Sequence, residues 1–270
     1  MPDRNPARRA IMNEPRTAAA LVIGNELLTG KIQDCNVAAL ARELFGLGIA
    51  LRRVVICPDD VDTIAADLEL LGATHDLVFT SGGVGPTHDD VTMAAVAKAC
   101  HRELVRSPEL EKPLRHYFGP RLNEFHLRMA DVPEGTELVF AEGSLWPTVR
   151  VGKIFVLPGL PEIFRQKLPA LRTALAGGAP FVSLAVGSRR EEGELAELLE
   201  DLSRRHPQVS IGSYPRWGDG PLRVVVTFDG RGRAEVEAAL TELRSSLPAE
   251  EIIEALPDEA RGEAQGAAGD

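Results

Sequence analysis

The feature that most constrains this chain is a repeated change of hydrophobic period between residues 17 and 100. TAAALVIG (17–24) is an unbroken apolar run ending in Gly24, the pattern of a strand buried on both faces. NVAALARELFGLG (36–48) then places Val37, Leu40, Ala41 and Leu44 on one face of a helix, and Gly46 and Gly48 close it. IALRRVVI (49–56) is strand-like and stops before Pro58, after which Val61, Ile64, Ala65 and Leu68 mark a second helix ending at Gly72. DLVFTS (76–81) predicts a third strand, and Met93, Val96, Ala97 and Cys100 a third helix. Strands separated by helices need right-handed crossovers, so this part is predicted to be a three-layer α/β/α domain around a mainly parallel sheet.

Residues 101–150 break the rhythm. Two charged helical stretches (108–118 and 121–130), a PEG turn (133–135) and strand-like TELVFA (136–141) read as an excursion from the sheet, a lid or hairpin. GKIFVLPG (152–159) returns to the sheet, and EIFRQKLPALRTAL (162–175) reads as a helix that carries a proline. AGGAP (176–180) has linker composition. Beyond it, a strand (181–187), a helix (192–206), strands at 209–214 and 222–228, a helix (234–247) and a last strand at 251–256 give the split β-α-β-β-α-β order of a smaller ferredoxin-like α+β domain. The predicted domains are therefore residues 17–178 and 180–256. Residues 1–16 and 257–270 have little to bury and are expected to be disordered tails, the first containing an over-long start before Met12.

A formal net charge of −10 argues against nucleic acid as a partner, because backbone binding needs a basic face. No apolar run is long enough for a bilayer span, and the first seventeen residues lack the apolar middle of a signal peptide. The three cysteines, Cys35, Cys57 and Cys100, are too scattered for a disulfide framework or a zinc ribbon. A cytoplasmic protein without a membrane partner is the expectation, its ligand a small molecule.

Ligands of open parallel sheets bind beyond the carboxyl ends of the strands. The segments that follow the strands here are GNELLTG (with Asn25, Glu26 and Thr29), PDD (Asp59, Asp60), SGGVGPTHDD (81–90) and PGLPE (Gly159, Glu162). Each carries a carboxylate. In the third, Gly82, Gly83 and Gly85 allow backbone amides to approach a phosphate, aided by the helix N-terminus that follows, so no lysine is needed. One of Asp89 and Asp90 is expected to cap that helix, leaving the other for a metal or a proton. An oxygen-only ligand set suits magnesium or manganese. His88 is expected only to hydrogen-bond, Asp34 and Asn36 to cap the helix at 37, Trp217 to pack, and Arg52, Arg53, Arg189 and Arg190 to be solvated charge.

GNELLTGKIQDCN, the PDD, SGGVGPTHDDVT and LPGLPE together resemble the molybdopterin-binding-like domain of the MoaB and MogA proteins, of the competence/damage-inducible protein CinA, and of the N-terminus of eukaryotic FAD synthases. The likeness covers roughly residues 17–175. IGSYPRWGDGPLRVVVTF (211–228) resembles the segment that follows this domain in FAD synthases, and PGLPE is closer to that branch than to the PGPP of CinA. The resemblance implies a site for a nucleotide or pterin phosphate at the carboxyl edge of the sheet. Relatives of the MogA kind adenylylate molybdopterin, whereas the CinA-like and FAD-synthase-linked domains are associated with metal-dependent cleavage of a pyrophosphate bond.

Motif by motif, Asp59 and Asp90 match the acidic pair, and Gly82, Gly83, Gly85 and Thr87 the phosphate loop; Ser81, Gly24, Glu26, Gly159 and Glu162 line the same strand ends. The implied cofactor is a divalent cation (magnesium, manganese or cobalt) on Asp59, Asp89 and Asp90, and the implied assembly a homo-oligomer, dimer or trimer. GSLWPTVRVG (143–152) stands where CinA proteins carry G-T-A-P-G, and the likeness extends to neither the CinA amidase domain nor the adenylyltransferase domain of FAD synthases. The expected function is a divalent-metal-dependent pyrophosphatase acting on FAD or ADP-ribose. Molybdopterin binding or adenylylation, and nucleotide binding without catalysis, stand as alternatives.

Overall fold

The computed structural model describes residues 16–218 and 220–260. The chain divides between Gly178 and Ala179 into two compact units. In the first, β1 (Arg16–Ile23) leads through a short helix α1 (Asn25–Leu28) to α2 (Asn36–Gly46) and β2 (Ile49–Cys57). Then come α3 (Val61–Thr74), β3 (Leu77–Ser81) and α4 (Thr92–Ala99). The sheet is completed by β6 (Glu137–Val139), β7 (Thr148–Val151) and β8 (Ile154–Leu157), and α7 (Pro161–Leu175) follows. Between α4 and β6 lie β4 (Leu104–Arg106), α5 (Pro108–Phe118), α6 (Glu124–Arg128) and β5 (Asp131–Pro133).

The strand order is β2-β1-β3-β8-β7-β6. The first four strands are parallel. β1 shows why the sheet must be covered twice. Its odd residues Ala19, Leu21 and Ile23 pack with Ile64 and Leu68 of α3 and Val96 of α4. Its even residues Ala18 and Ala20 pack with Leu40 and Leu44 of α2 and Phe164 of α7. Alternate side chains of a strand point to opposite faces, so an all-apolar run demands helices on both. Burying a Leu or Phe completely, as at Leu21, Leu44 and Phe164, contributes roughly 1.5–3 kcal/mol each.

The 101–150 excursion differs from expectation. Its second half is part of the sheet: β6 and β7 extend it as an antiparallel meander into β8. The TVRV strand was hidden behind Gly143, Ser144 and Pro147, which read as loop. Only residues 104–133 stand off the sheet, where β4 and β5 pair with each other and α5 sends Leu110 and Leu114 into the core.

The second unit is β9 (Val182–Ser188), α8 (Glu192–Arg205), β10 (Ser210–Pro215), β11 (Val224–Gly230), α9 (Arg233–Ser246) and β12 (Ile252–Ile253). The order β10-β11-β9-β12, antiparallel throughout, is the ferredoxin-like arrangement. Val224, Val226 and Phe228 of β11 pack on Leu195 and Leu202 of α8 and Val236 of α9. Three expectations fail here. Trp217 is 97% exposed rather than packed. Arg190 is not free charge but pairs with Glu251 at 2.5 Å, pinning β9 to the segment before β12. The last strand shrinks to two residues.

Of the expected tails, Arg16 belongs to β1 and residues 257–260 form a short helix α10 (Pro257–Ala260). The rest of both tails, including Met12, lies outside the described residues. Among those described, no helix is long and apolar enough to cross a membrane.

Candidate functional site

The carboxyl ends of β1, β2, β3 and β8 are tied together by backbone. Gly24 N–H donates to Cys57 O at 3.1 Å, and Gly82 N–H to Leu157 O at 3.2 Å. Above them opens a cavity of about 910 Å³, at the large end for a small-molecule site. In the PDD segment the two aspartates divide the work. Asp60 caps α3, accepting from the Thr63 N–H at 2.8 Å, and the Thr63 contacts hold its carboxyl below the usual range. Asp59 faces the cavity and accepts the Asn25 N–H on Oδ2 at 2.8 Å, leaving Oδ1. Cys57 just before them is kept a neutral thiol: burial, then the charges of Asp67 and Asp59, push it up to about 12.

The loop after β3 needs glycine at two places. Gly82 has φ +112°, and a Cβ there would lie 2.2 Å from Ile23 O; Gly83 has φ +64°, with a Cβ 2.4 Å from Thr92 Oγ1. The buried Thr92 hydroxyl donates to Gly82 O at 2.8 Å, and Thr92 N–H to Gly83 O at 3.0 Å. These bonds fix the loop on the start of α4. Among the described residues the N–H groups of Gly83, Val84 and Gly85 have no intramolecular acceptor, and all three residues line the cavity. Three free amides on adjacent residues are what an anion needs.

Neither aspartate caps α4, contrary to expectation. The helix starts at Thr92, and its N-cap position is Val91, one residue beyond Asp90, with no side-chain cap. Instead Asp90 closes its own turn, accepting the Thr87 N–H at 2.8 Å and the Thr87 hydroxyl at 2.5 Å, both on Oδ2. Its Oδ1 is left, as at Asp59. Asp59, Asp89, Asp90 and Glu26 all line the cavity. Among the described residues, however, no three His, Cys, Asp or Glu side chains form a group that could hold a metal ion. Among these residues Asp59 and Asp90 each keep one carboxylate oxygen without an intramolecular donor, and Asp89 and Glu26 stand in the same lining. That fits magnesium or manganese bound together with substrate phosphates, the usual way such ions sit on one or two carboxylates.

Other candidates fall into place unevenly. Ser81 and Gly159 line the cavity. Thr87 lines a smaller recess of about 120 Å³ beside it, with His88, whose side chain is 96% exposed. Gly24 does not line the cavity but lies under the Glu26 carboxylate. Glu162, in the first turn of α7, is exposed and outside the lining. In IQDCN, Asp34 stands one residue before the N-cap, Cys35, and accepts the first-turn Val37 N–H at 2.9 Å, but the buried Asn36 reaches into the site. Its Nδ2 donates to Ser81 Oγ at 3.0 Å and to Gly159 O at 2.7 Å, locking two strand ends together.

The positive charge that the loop sequence lacks comes from elsewhere. Arg128, at the end of α6, lines the small recess with Gly83, Gly85, Thr87 and Asp90, its guanidinium carbon 4.9 Å from the Phe125 ring. Lys167, on α7, lines the main cavity and donates to Trp146 O and Pro147 O, both at 2.9 Å. Burial alone lowers it to about 8. The same end of the cavity is walled by Leu114, Tyr117 and Phe118 of α5 and by Trp146. Sequence reading missed all of these. Only the lone lysine in an otherwise amphipathic α7 offered a signal.

Known proteins agree with this architecture. A protein of Archaeoglobus fulgidus is 31% identical over 83% of this chain and 95% of its own length. A probable FAD synthase of Caenorhabditis elegans is 29% identical over 88% of this chain, which spans only 52% of that protein. The crystal structure of CinA from Thermoplasma acidophilum, of unknown function, superposes with a TM-score of 0.55 at 28% identity, covering 60% of this chain and all of that one. Residues 180–256 match the FAD synthase middle domain. Residues 19–175 match the probable molybdopterin binding domain, and the chain belongs to that family.

Proposed function

We propose that this chain cleaves the pyrophosphate bond of an adenine dinucleotide of the FAD or ADP-ribose type. The observation that carries the reading is the single cavity with two unlike ends: free amides and two carboxylates at one, an aromatic wall at the other. A ligand with a charged centre and a flat ring matches both. The likeness to a probable FAD synthase supports a nucleotide as substrate.

In this reading the amides of Gly83, Val84 and Gly85 bind phosphate oxygens, and Asn36 keeps the β3 and β8 ends at fixed separation beneath them. A divalent cation held by Asp59 and Asp90, when bound, would offset the pyrophosphate charge and acidify a water. Water oxygen forms the new bond to one phosphorus, the bridging P–O bond breaks with its oxygen leaving on the other phosphate, and the products are two monophosphate dianions with release of the two protons of water. Charge building on the phosphate oxygens is met by the loop amides and by Arg128, groups already in place before reaction.

The test is chromatography of products from FAD and from ADP-ribose, with magnesium, manganese or cobalt added in turn. AMP is expected only with metal. Asp90→Asn should lower turnover by at least ~100-fold while leaving the unfolding midpoint nearly unchanged. Undiminished turnover in that variant would remove Asp90 from the mechanism.

A second reading, molybdopterin binding or adenylylation, is favoured by the match of residues 19–175 to a molybdopterin-binding family. Pterin-dependent consumption of ATP would establish it. Saturable nucleotide binding without product under any metal would leave a binding module.

A further inference from the structure

The far end of the cavity has chemistry that the phosphate site does not use. Tyr117 stands 65% exposed although it is a large ring on a helix whose Leu110 and Leu114 are buried. It meets Trp146 edge-on, ring centroids 6.2 Å apart, and Phe118 likewise at 5.0 Å. Ile163 of α7 and Leu160 just before that helix, also in the lining, are 41% and 54% exposed. An apolar wall of this kind, left open beside a polar site, suits a flat ring, which would bury it.

Among these apolar groups sits one cation. The Lys167 ammonium has three N–H donors, two of them on the Trp146 and Pro147 carbonyls, and it makes no ion pair among the described residues. A half-buried charge without a counter-ion costs stability unless something bound completes its shell. An ammonium can only donate, so a bound ring completes its shell with an acceptor, and a carbonyl oxygen at the ring edge, with two lone pairs, is the acceptor it is suited to read.

We propose that this end of the cavity is a seat for a flat ring with a carbonyl edge, and that Lys167 is the donor that reads that edge. Flavin and pterin rings share this chemistry; adenine, with no carbonyl, does not. The seat rests on the proposed function only in taking one ligand to span both ends, and it can be tested with ring ligands that have no pyrophosphate bond.

Riboflavin, an oxidised pterin and adenosine serve as ring probes, and inorganic pyrophosphate as the probe of the amide loop. Binding is followed by quenching of flavin or pterin fluorescence, expected on contact with Trp146 and Tyr117, and by calorimetry for adenosine and pyrophosphate. The result expected is saturable binding of riboflavin or the pterin, whichever the seat prefers, tighter than adenosine. Lys167→Met should weaken the carbonyl-edged ring by about tenfold and leave pyrophosphate within about twofold. Lys167→Gln, which can still donate to Trp146 O, replaces it if the methionine variant fails to fold. Equal weakening of ring and pyrophosphate would make Lys167 a structural clamp and overturn the proposal, as would adenosine binding as tightly as either carbonyl-edged ring. Because none of the ring probes contains a pyrophosphate bond, and pyrophosphate itself is titrated without metal, absence of pyrophosphatase activity would leave this outcome standing.

Discussion

The two ends of the cavity are made of different material. At the acidic end the groups that face the ligand are mostly main chain: the amides of Gly83, Val84 and Gly85, set by positive φ at Gly82 and Gly83 and bolted to α4 by Thr92. At the ring end they are side chains carried by α5, α7 and the Trp146 segment. Backbone cannot be exchanged by mutation, whereas side chains can. A fold with this division can keep one phosphate chemistry while the ring it accepts changes, and each substitution below is aimed at one end.

The largest effect is expected at Gly82. An alanine there would need φ near +112° and would drive its Cβ into Ile23 O. Gly82→Ala should therefore displace the loop, costing about 3 kcal/mol or more in urea unfolding and at least ~100-fold in turnover. Riboflavin binding by the folded fraction should stay within about twofold, because the ring end shares no partner with Gly82. Loss of both together would show that the ends are one cooperative unit, and the comparison would fail.

Arg128 sharpens the comparison, being a side chain at the backbone end. Arg128→Ala should lower kcat by roughly tenfold to a hundredfold with little change in riboflavin affinity. Stability should move by less than ~0.5 kcal/mol, since Arg128 is exposed and its one described partner is the Phe125 ring. Partial rescue by Arg128→Lys would mark the role as charge rather than shape. An unchanged kcat would leave the loop amides as the whole of the phosphate site.

The backbone end is also the end that the sequence announced. A glycine-rich segment between a strand and a helix is a local pattern, and locality is what periodicity and turn chemistry report. What local pattern could not decide was the use of each aspartate: Asp60 caps but Asp89 and Asp90 do not, because the N-cap of α4 is Val91, after a turn that Thr87 and Asp90 close between themselves. Asn36 looked like a cap for the same reason. Its bonds to Ser81 and Gly159 span 45 and 123 residues, and only the folded sheet brings them together. The ring end was illegible throughout. Tyr117, Trp146 and Lys167 come from three segments, and one of these, GSLWPTV, hid the strand β7 that holds it to the sheet. The second unit shows the same division: its strand and helix order was readable, but the Arg190–Glu251 pair joins residues far apart in the chain, and Trp217 is left exposed.

The smallest expected effect is a pH dependence of stability at Lys167, and it tests whether the ring end is held at a cost. Burial lowers this lysine from its ordinary 10.5 to about 8, with no charged partner contributing. Where a base titrates lower in the folded state, the unfolded chain binds the extra proton between the two values. Below pH 8 both states are protonated and the full penalty applies. As pH rises from 8 toward 10.5 the folded state releases its proton first, and the penalty is relieved. The wild type should thus gain stability relative to Lys167→Met across this window, by an amount on the order of 1–2 kcal/mol, less than the shift alone implies because the side chain is only half-buried. Urea unfolding of both proteins at pH 7, 8, 9 and 10 measures it. A difference that stays flat would mean the ammonium is well solvated by Trp146 O, Pro147 O and water and has no unmet need for an acceptor. A difference that grows as described would mean that the fold tolerates a poorly solvated cation at the one end of the cavity whose residues are free to specify the ligand.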